Sequence, residues 1–146
     1  MAEEVDHQEL TRLTMASKAY WGYDALLLSH WKEELTISPA YIRDNELIKL
    51  MKDRQIIGYY AYRKLTDITV HLDNLFVLPE YIGNGIGKIL IMDMLSRVKL
   101  QKYGKVLVDA DPNAEGFYAR FGFMPVGKRP TIVVGRFLPI MEKRLI

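Results

Sequence analysis

The sequence predicts one domain of mixed α/β class, residues 1–146, in which helices come first and strands and helices then alternate. With 146 residues, 49% of them hydrophobic and 26% charged, the chain has the size and composition of an ordinary globular domain. The spacing of its hydrophobic residues also changes, from a helical period before Asn45 to runs of branched and aromatic residues after it. This order of segments is typical of an α+β fold.

Three helices are expected before Asn45. Residues 6–20 have apolar side chains at helical spacing, with Asp6 in the position of an N-terminal cap. Gly22 interrupts this pattern, and residues 23–35 then form a second amphipathic segment. Residues 38–43 begin with a Ser-Pro pair, which suits the cap and the first turn of a short helix.

The middle of the chain predicts three consecutive antiparallel strands. Residues 47–51, 56–65 and 68–77 are rich in branched and aromatic side chains, and the short polar connections between them fit two hairpins. The polar pair Asp73-Asn74 interrupts the alternation of the third run, as a β-bulge would. A strand with one solvated face is the alternative explanation of this pair.

The last part of the chain predicts a long helix, a buried strand, a second helix and two final strands. The long helix ends near Gly104, and its apolar stripe would consist of Ile86, Ile89, Leu90, Met94 and Val98. Asp111 suits the cap of a helix over residues 112–121. The remaining predicted elements are strands over 105–108, 123–126 and 137–144, with a loop containing Pro130 and Gly135 between the last two.

Composition excludes several classes of protein. The net charge of +2 is too balanced to indicate nucleic-acid binding, and the absence of cysteine excludes disulfide scaffolds, thiol catalysis and thiolate zinc sites. No apolar run reaches the ~20 residues of a membrane helix, and no signal peptide is visible, so we expect a cytoplasmic protein without membrane contact. His7, His30 and His71 are far apart with no carboxylate at ligand spacing, so we expect no metal site.

The glycine-dense stretch 83–87 is the strongest functional signal. Glycines at alternate positions leave backbone amides uncovered where a helix begins, and this arrangement favours an anion such as a phosphate. A dinucleotide-binding fingerprint would need a glycine in place of Lys88. A P-loop would need a glycine in place of Ile82 and a Ser or Thr in place of Ile89. The alternative interpretation is a flexible strand-to-helix turn without a ligand.

Two longer motifs resemble those of one enzyme family. Residues 75–90 (LFVLPEYIGNGIGKIL) are similar to motif A, and residues 111–123 (DPNAEGFYARFGF) to motif B, of the GNAT superfamily of acyl-CoA-dependent N-acetyltransferases. The order of the predicted elements also matches that fold from the first helix to the last strand. The resemblance implies a central, mostly antiparallel sheet flanked by helices, without the strand that normally begins the family's fold.

The resemblance also implies a site for acetyl-CoA as cosubstrate. Backbone groups of three strand residues would receive the pantetheine arm and the acetyl carbonyl: Leu75, Phe76 and Val77. Backbone amides of the glycine stretch would hold the pyrophosphate: those of Gly83, Asn84, Gly85, Ile86, Gly87 and Lys88. The family's motif B asparagine is replaced by Asp111, and Asn113, two residues later, is the candidate for its contact with the cosubstrate.

Two side chains take catalytic roles by the same resemblance. Tyr118 stands at the family's general-acid position, where its hydroxyl would protonate the departing CoA thiolate. Asp73 stands where many members carry a general base that acts directly or through water, and Asp109 is a second candidate. The structural alternatives are a packed core tyrosine and a solvated strand aspartate. The implied reaction is direct transfer of an acetyl group from acetyl-CoA to a primary amine of a small molecule or peptide, in a ternary complex.

A second hypothesis is a non-catalytic acyl-CoA-binding or regulatory module. It is supported by Ile82, where motif A usually has Arg or Gln, and by Asp111, where motif B usually has Asn. A plain protein-interaction domain is a third hypothesis, and it predicts no CoA binding. The predicted strand 47–51 would lie at the edge of the sheet, so we expect either a covered edge or a homodimer.

Two further groups have both a functional and a structural interpretation. Tyr20, Trp21 and Tyr23 are an aromatic cluster that either lines the amine pocket or packs against the helices. Residues 127–130 (GKRP) are a predicted basic loop that either meets an acidic ligand or is simply solvated.

Overall fold

The computed structural model describes residues 1–131 and 135–145, which form two compact units. The first unit consists of Met1–Ala61 and Asn74–Asp93, and the second of Tyr62–Asp73 and Met94–Ile146.

Three α-helices open the first unit: α1 (His7–Ala19), α2 (Ala25–Leu35) and α3 (Pro39–Asp44). The predicted cap of α3 is confirmed, because the Ser38 side chain accepts a hydrogen bond from the Tyr41 amide at 3.0 Å. The predicted cap of α1 is wrong. A 3-10 turn (Glu4–Asp6) precedes this helix, so Asp6 already has helical backbone angles, and its side chain accepts from the Glu3 amide instead.

Six strands form one sheet: β1 (Glu46–Lys52), β2 (Gln55–Lys64), β3 (Thr69–Val77), β4 (Lys105–Asp109), β5 (Met124–Pro130) and β6 (Phe137–Arg144). Their order across the sheet is β1-β2-β3-β4-β6-β5. Strands β3 and β4 pair in parallel, whereas β6 pairs antiparallel with both β4 and β5. The predicted mixed α+β class with a mostly antiparallel sheet is therefore confirmed.

The core of the first unit joins its helices to β1 and β2. Its buried members are Leu10, Leu13, Ile37, Ile42, Leu47, Ile56, Tyr59 and Ala61. The Tyr59 hydroxyl lies 2.6 Å from Thr14 Oγ1, which donates to the Leu10 carbonyl at 2.7 Å. The contact gives the Tyr59 hydroxyl a hydrogen-bond partner inside an apolar core. Burial in this core raises the pKa of Tyr59.

Helix α4 (Ile86–Leu100) follows the glycine stretch, as predicted. Leu90, Met94 and Val98 of the predicted stripe are buried, but Ile89 is 52% exposed and Ile91 is fully buried instead. The buried stripe is therefore displaced around the helix from the one that the sequence predicts.

The second unit contains the two sequence segments whose predicted bounds needed correction. A 3-10 turn (Pro112–Ala114) and a short helix α5 (Glu115–Arg120) replace the single predicted helix over 112–121, although Asp111 caps the turn as expected. Strand β5 extends to Pro130, so the predicted basic loop 127–130 is part of a strand that pairs with β6. Residues 132–134 of the predicted loop lie outside the described residues.

Strand β1 ends the sheet order, and residues near the start of the chain cover part of its outer side. The Ala2 amide donates to the Leu47 carbonyl at 2.9 Å, and Lys49 Nζ lies 2.8 Å from Asp6 Oδ2. Within the described residues no strand precedes β1, so the strand that normally begins the family's fold is not found before it. None of the described helices is long and apolar enough to cross a membrane.

Candidate functional site

The turn before α4 has the geometry of an anion-binding loop. Gly83 and Gly85 have φ values of +89° and +81°, and an added Cβ at either position would meet nothing within 4 Å. The Ile89 amide donates to the Gly85 carbonyl at 3.1 Å, so the amides of the preceding first turn have no partner within the helix. Lys88 is exposed in that turn. Open backbone donors and a nearby cation suit a negatively charged group.

A buried glycine in β2 brings the backbone of β3 close to the start of α4. A Cβ at Gly58 would lie 3.2 Å from the Phe76 carbonyl oxygen, 3.0 Å from Leu90 Cδ1 and 3.3 Å from Ile86 Cγ2. The sequence prediction missed this residue. A lone glycine within a run of branched and aromatic strand residues was the available signal.

The candidate pantetheine residues Leu75, Phe76 and Val77 occupy the end of β3. The parallel register of β3 with β4 covers Thr69–Leu72, which pair with Lys105–Val108. In the part of the chain that the structure describes, these three residues lie beyond that register. The pairing with β4 therefore stops before the segment that is predicted to receive the pantetheine arm.

Tyr118 is the most enclosed of the candidate catalytic residues in the second unit. The residue is only 5% exposed. The centroid of its ring lies 5.2 Å from that of Phe117 and 5.4 Å from that of Phe123. Burial raises the pKa of Tyr118, and the negative charge of Asp111 raises it further. The phenol therefore keeps its proton over the physiological range and can act as a donor but not as a base.

Asp73 and Asp109 lie on either side of the His71 ring. His71 Nδ1 is 2.6 Å from Asp73 Oδ1, and His71 Nε2 is 3.5 Å from Asp109 Oδ2. The register explains the grouping, because His71 is opposite Leu107 and residues two positions further along each strand share that face. The contacts of His71 with Asp73 and Asp109 were not predicted from the sequence.

Two arginines complete this cluster, one from β2 and one from β5. Arg63 Nε lies 3.1 Å from Asp73 Oδ1, and Arg129 Nη1 lies 2.7 Å from Asp109 Oδ2. The side chains of His71, Asp73 and Asp109 are 14%, 15% and 17% exposed. Arg129 is one of the residues that the sequence placed in a basic loop, and its role in the structure is to pair with a carboxylate on β4.

Asn113 and Asp111 form a local pair at the start of the 3-10 turn. Asp111 Oδ1 accepts from the Asn113 amide at 2.9 Å and from Asn113 Nδ2 at 3.1 Å, while Arg136 Nη2 lies 3.7 Å from Asp111 Oδ2. Compared with the family's asparagine, Asp111 therefore adds an ion pair with Arg136. The Asn113 side chain is directed to this cap in the structure.

The aromatic cluster near Gly22 divides into two parts. Tyr23 packs edge-on against the buried Trp31 at 4.9 Å, and Lys18 lies over both rings, so this half is structural. Tyr20 and Trp21 stack edge-on at 5.2 Å and remain 53% and 46% exposed. Only these two rings are open to a ligand.

Among residues 1–131 and 135–145, no group of three or more His, Cys, Asp or Glu side chains is arranged to hold a metal ion. In the cluster around His71, the two ring nitrogens face different carboxylates and do not converge on one point.

Solved structures identify the fold. The PaiA N-acetyltransferase from Thermoplasma acidophilum, solved in complex with coenzyme A, superposes with a TM-score of 0.79 at 19% identity, over 99% of this chain and 96% of that one. The two chains therefore share one fold.

The family follows from the sequence model. Residues 7–145 match the acetyltransferase (GNAT) domain, and the chain belongs to that family. The uncharacterized N-acetyltransferase ycf52 of Gracilaria tenuistipitata var. liui is 20% identical over 64% of this chain and 51% of its own length. The uncharacterized N-acetyltransferase YafP of Escherichia coli (strain K12) is 28% identical over 67% of this chain and 54% of its own length. The chain thus spans about half the length of these curated relatives.

Proposed function

We propose that this protein transfers an acetyl group from acetyl-CoA to a primary amine of a small molecule or peptide. The observation that carries the proposal is the loop before α4, with two left-handed glycines and open space around both, in a chain of the GNAT family. A likeness in fold to a protein solved with coenzyme A supports the same ligand.

The residues of the loop fit a diphosphate. A β-carbon at Gly83 or Gly85 would occupy space that is open in the structure, and the left-handed backbone at both positions disfavours any other residue. We propose that amides from Gly83 to Lys88 hold the pyrophosphate and that the backbone of Leu75–Val77 orients the pantetheine arm. The bound cosubstrate supplies an activated thioester.

Tyr118 is proposed as the proton donor to the leaving thiolate. Its raised pKa keeps the hydroxyl protonated, and the rings of Phe117 and Phe123 hold it in place. An acid of this kind accelerates departure of the thiolate by supplying the proton as the carbon–sulfur bond breaks.

Asp73, with Asp109 as its neighbour across the sheet, is proposed to assist removal of a proton from the acceptor. An amine is protonated at neutral pH and cannot attack a carbonyl until it loses that proton. The free amine then forms a carbon–nitrogen bond, the carbon–sulfur bond breaks, and the second nitrogen proton balances the one given to the thiolate.

The competing hypothesis is a module that binds acyl-CoA without turnover. The observation in its favour is Asp111, whose ion pair with Arg136 and bond with Asn113 occupy the groups that the family directs to its cosubstrate. It predicts CoA binding equal to that of an enzyme and no release of thiol.

The test combines binding and turnover. We expect CoA to raise the melting temperature, with a stabilisation near 2.7 kcal/mol at a hundredfold excess over Kd. Acetyl-CoA with a panel of polyamines, amino acids, aminoglycosides and short peptides should release free thiol. Binding without thiol release supports the module, and the absence of any thermal shift at millimolar CoA contradicts both hypotheses.

A matched pair of variants tests the loop itself. Gly85→Ala and Gly22→Ala carry the same backbone strain, because their φ values are +81° and +82° and both have open surroundings. The strain costs each about 1–2 kcal/mol of stability. We expect Gly85→Ala to weaken CoA at least tenfold and Gly22→Ala to leave its affinity unchanged. Equal affinities in the two variants would remove the loop from the site.

A further inference from the structure

We infer that His71 is the residue that holds the acceptor's proton, with Asp73 orienting its ring and Asp109 passing the proton to Nε2. This inference rests on the proposed function and changes the assignment within it. Asp73 becomes a positioning residue, and the base is an imidazole that neither motif A nor motif B contains.

The contact between His71 and Asp73 fixes the ring. A lone pair on His71 Nδ1 and a lone pair on Asp73 Oδ1 would repel each other at 2.6 Å. A proton therefore lies between these two atoms. With the carboxylate ionised, that proton is on Nδ1, and the neutral ring then has its lone pair on Nε2. This is the logic by which an aspartate selects the tautomer of a catalytic histidine.

The lone pair of His71 Nε2 is directed to a carboxylate that can deliver a proton. Asp109 Oδ2 lies 3.5 Å from Nε2, a distance that closes to a hydrogen bond once the nitrogen carries a proton. After transfer, the imidazolium would donate to Asp73 and Asp109 at the same time. Only the protonated ring satisfies both carboxylates.

Charge balance favours the imidazole over the carboxylates as the base. Arg63 pairs with Asp73 and Arg129 with Asp109, so each carboxylate already has a cation. With a neutral ring the formal charges of the five groups sum to zero, and the cluster can accept one proton. Imidazole is the side chain whose ordinary pKa is closest to neutrality.

The other charged groups around the cluster lie further along the sheet. Glu142 on β6 is opposite Leu107, which is opposite His71, so it carries the next carboxylate on this face. Its Oε1 lies 3.1 Å from Arg144 Nε, and its Oε2 lies 4.0 Å from Lys105 Nζ. Its charge is thus already matched by neighbours of its own.

The proposed step balances. The acceptor ammonium gives one proton to the Asp109 carboxylate, which passes it to His71 Nε2, and the resulting amine attacks the thioester carbon. The nitrogen loses its second proton to solvent as the amide forms, the CoA thiolate gains one from Tyr118, and the Tyr118 phenolate regains its proton from solvent. The imidazolium returns its proton to solvent before the next turnover.

The test uses acetyl-CoA and the amine of the panel that releases thiol fastest. Thiol release is measured across pH for the parent, His71→Gln, Asp109→Asn, the double variant, and His30→Gln as a control on an exposed histidine. We expect each of the first two to lower kcat on the order of 10²-fold near neutral pH, with KM for acetyl-CoA unchanged. The parent's rise in kcat with pH should be lost in His71→Gln, and His30→Gln should behave as the parent.

The double variant separates a shared step from independent packing effects. If Asp109 acts through His71, the double variant should be no slower than the slower single variant. Additive losses, or a pH profile of His71→Gln that runs parallel to the parent's, would show a merely structural tie between β3 and β4 and overturn the inference. No thiol release by the parent with any amine overturns the proposed function instead, and the inference with it.

Discussion

The candidate functional groups of the two units differ in kind: those of the first unit belong to the backbone, and those of the second unit are side chains. In the first unit the anion loop is made of backbone, with Gly83 and Gly85 open and Gly58 allowing a strand and a helix to approach. In the second unit the candidate groups are side chains held by rings and ion pairs, above all His71 and Tyr118. Backbone sites depend on local conformation, so they can be recognised along the sequence. Side-chain clusters depend on which strands become neighbours.

The largest expected effect is on the side-chain region. Tyr118→Phe removes only the hydroxyl, so the ring packing remains while the proton donor is lost. We expect kcat to fall by ~10² to 10⁴ with little change in acetyl-CoA affinity, as for the loss of a general acid. Thiol release and CoA titration measure the two quantities. Tyr103→Phe, half-buried in the same unit, is the control for loss of a phenol; a Tyr118→Phe enzyme that turns over like this control would make Tyr118 a core residue.

The opposite pattern is expected from the backbone region. Gly58→Ala places a methyl group 3.2 Å from a strand carbonyl oxygen that cannot easily move, so we expect a loss of about 1–3 kcal/mol in the free energy of unfolding. CoA affinity should fall as well, because Ile86 in the first helical turn lies against the same position.

A glycine with ordinary spacing is the control for Gly58→Ala. At Gly104 an added Cβ would be 3.7 Å from its nearest neighbour, the Ile68 carbonyl oxygen, and its φ is not in the left-handed region. Gly104→Ala should leave CoA affinity unchanged in titrations and shift urea unfolding less. If both variants bind CoA as the parent does, Gly58 has no role in shaping the loop.

The smallest effect concerns a part of the first unit away from the loop. Burial disfavours the Asp6 carboxylate, but its hydrogen bonds with Lys49 and the Glu3 amide, with the Lys49 charge, outweigh burial and lower the pKa of Asp6. The folded state therefore gains stability above the unfolded pKa, near 4, and loses it as pH falls through the lower folded value.

Asp6→Asn should remove that dependence. We expect a loss on the order of 1 kcal/mol or less at neutral pH, and no difference from the parent at the lowest pH where both are folded. Urea unfolding at several pH values measures it, and neither kcat nor CoA affinity should change. A variant that is equally destabilised at every pH would contradict the assignment to the carboxylate charge.

Local pattern was enough to predict most of the fold. Ser38 and Pro39 marked the start of one helix, and the glycines after the third strand marked the turn before α4, because these features depend on a few adjacent residues. Strand β5 was predicted too short since its last residues are exposed and basic, and only pairing with β6 makes them a strand.

The cluster around His71 could not be predicted in the same way. His71 and Asp73 are two residues apart and share a strand face, which the sequence does show. Asp109 and Arg129 join them only because β4 pairs with β3, and β5 brings its arginine to the same face. The register between distant strands carries this information, and a motif does not.

The contact of the chain's first residues with β1 has a consequence for storage and purification. The Ala2 amide donates a hydrogen bond to the Leu47 carbonyl, and the ion pair between Lys49 and Asp6 holds residues 2–6 against β1. Protonation of Asp6 in acid weakens the ion pair with Lys49. If the Ala2 hydrogen bond is then lost, the Leu47 carbonyl becomes available to a strand of another molecule. We expect an acidic elution or storage buffer to favour strand pairing between molecules, with turbidity as the sign that checks it.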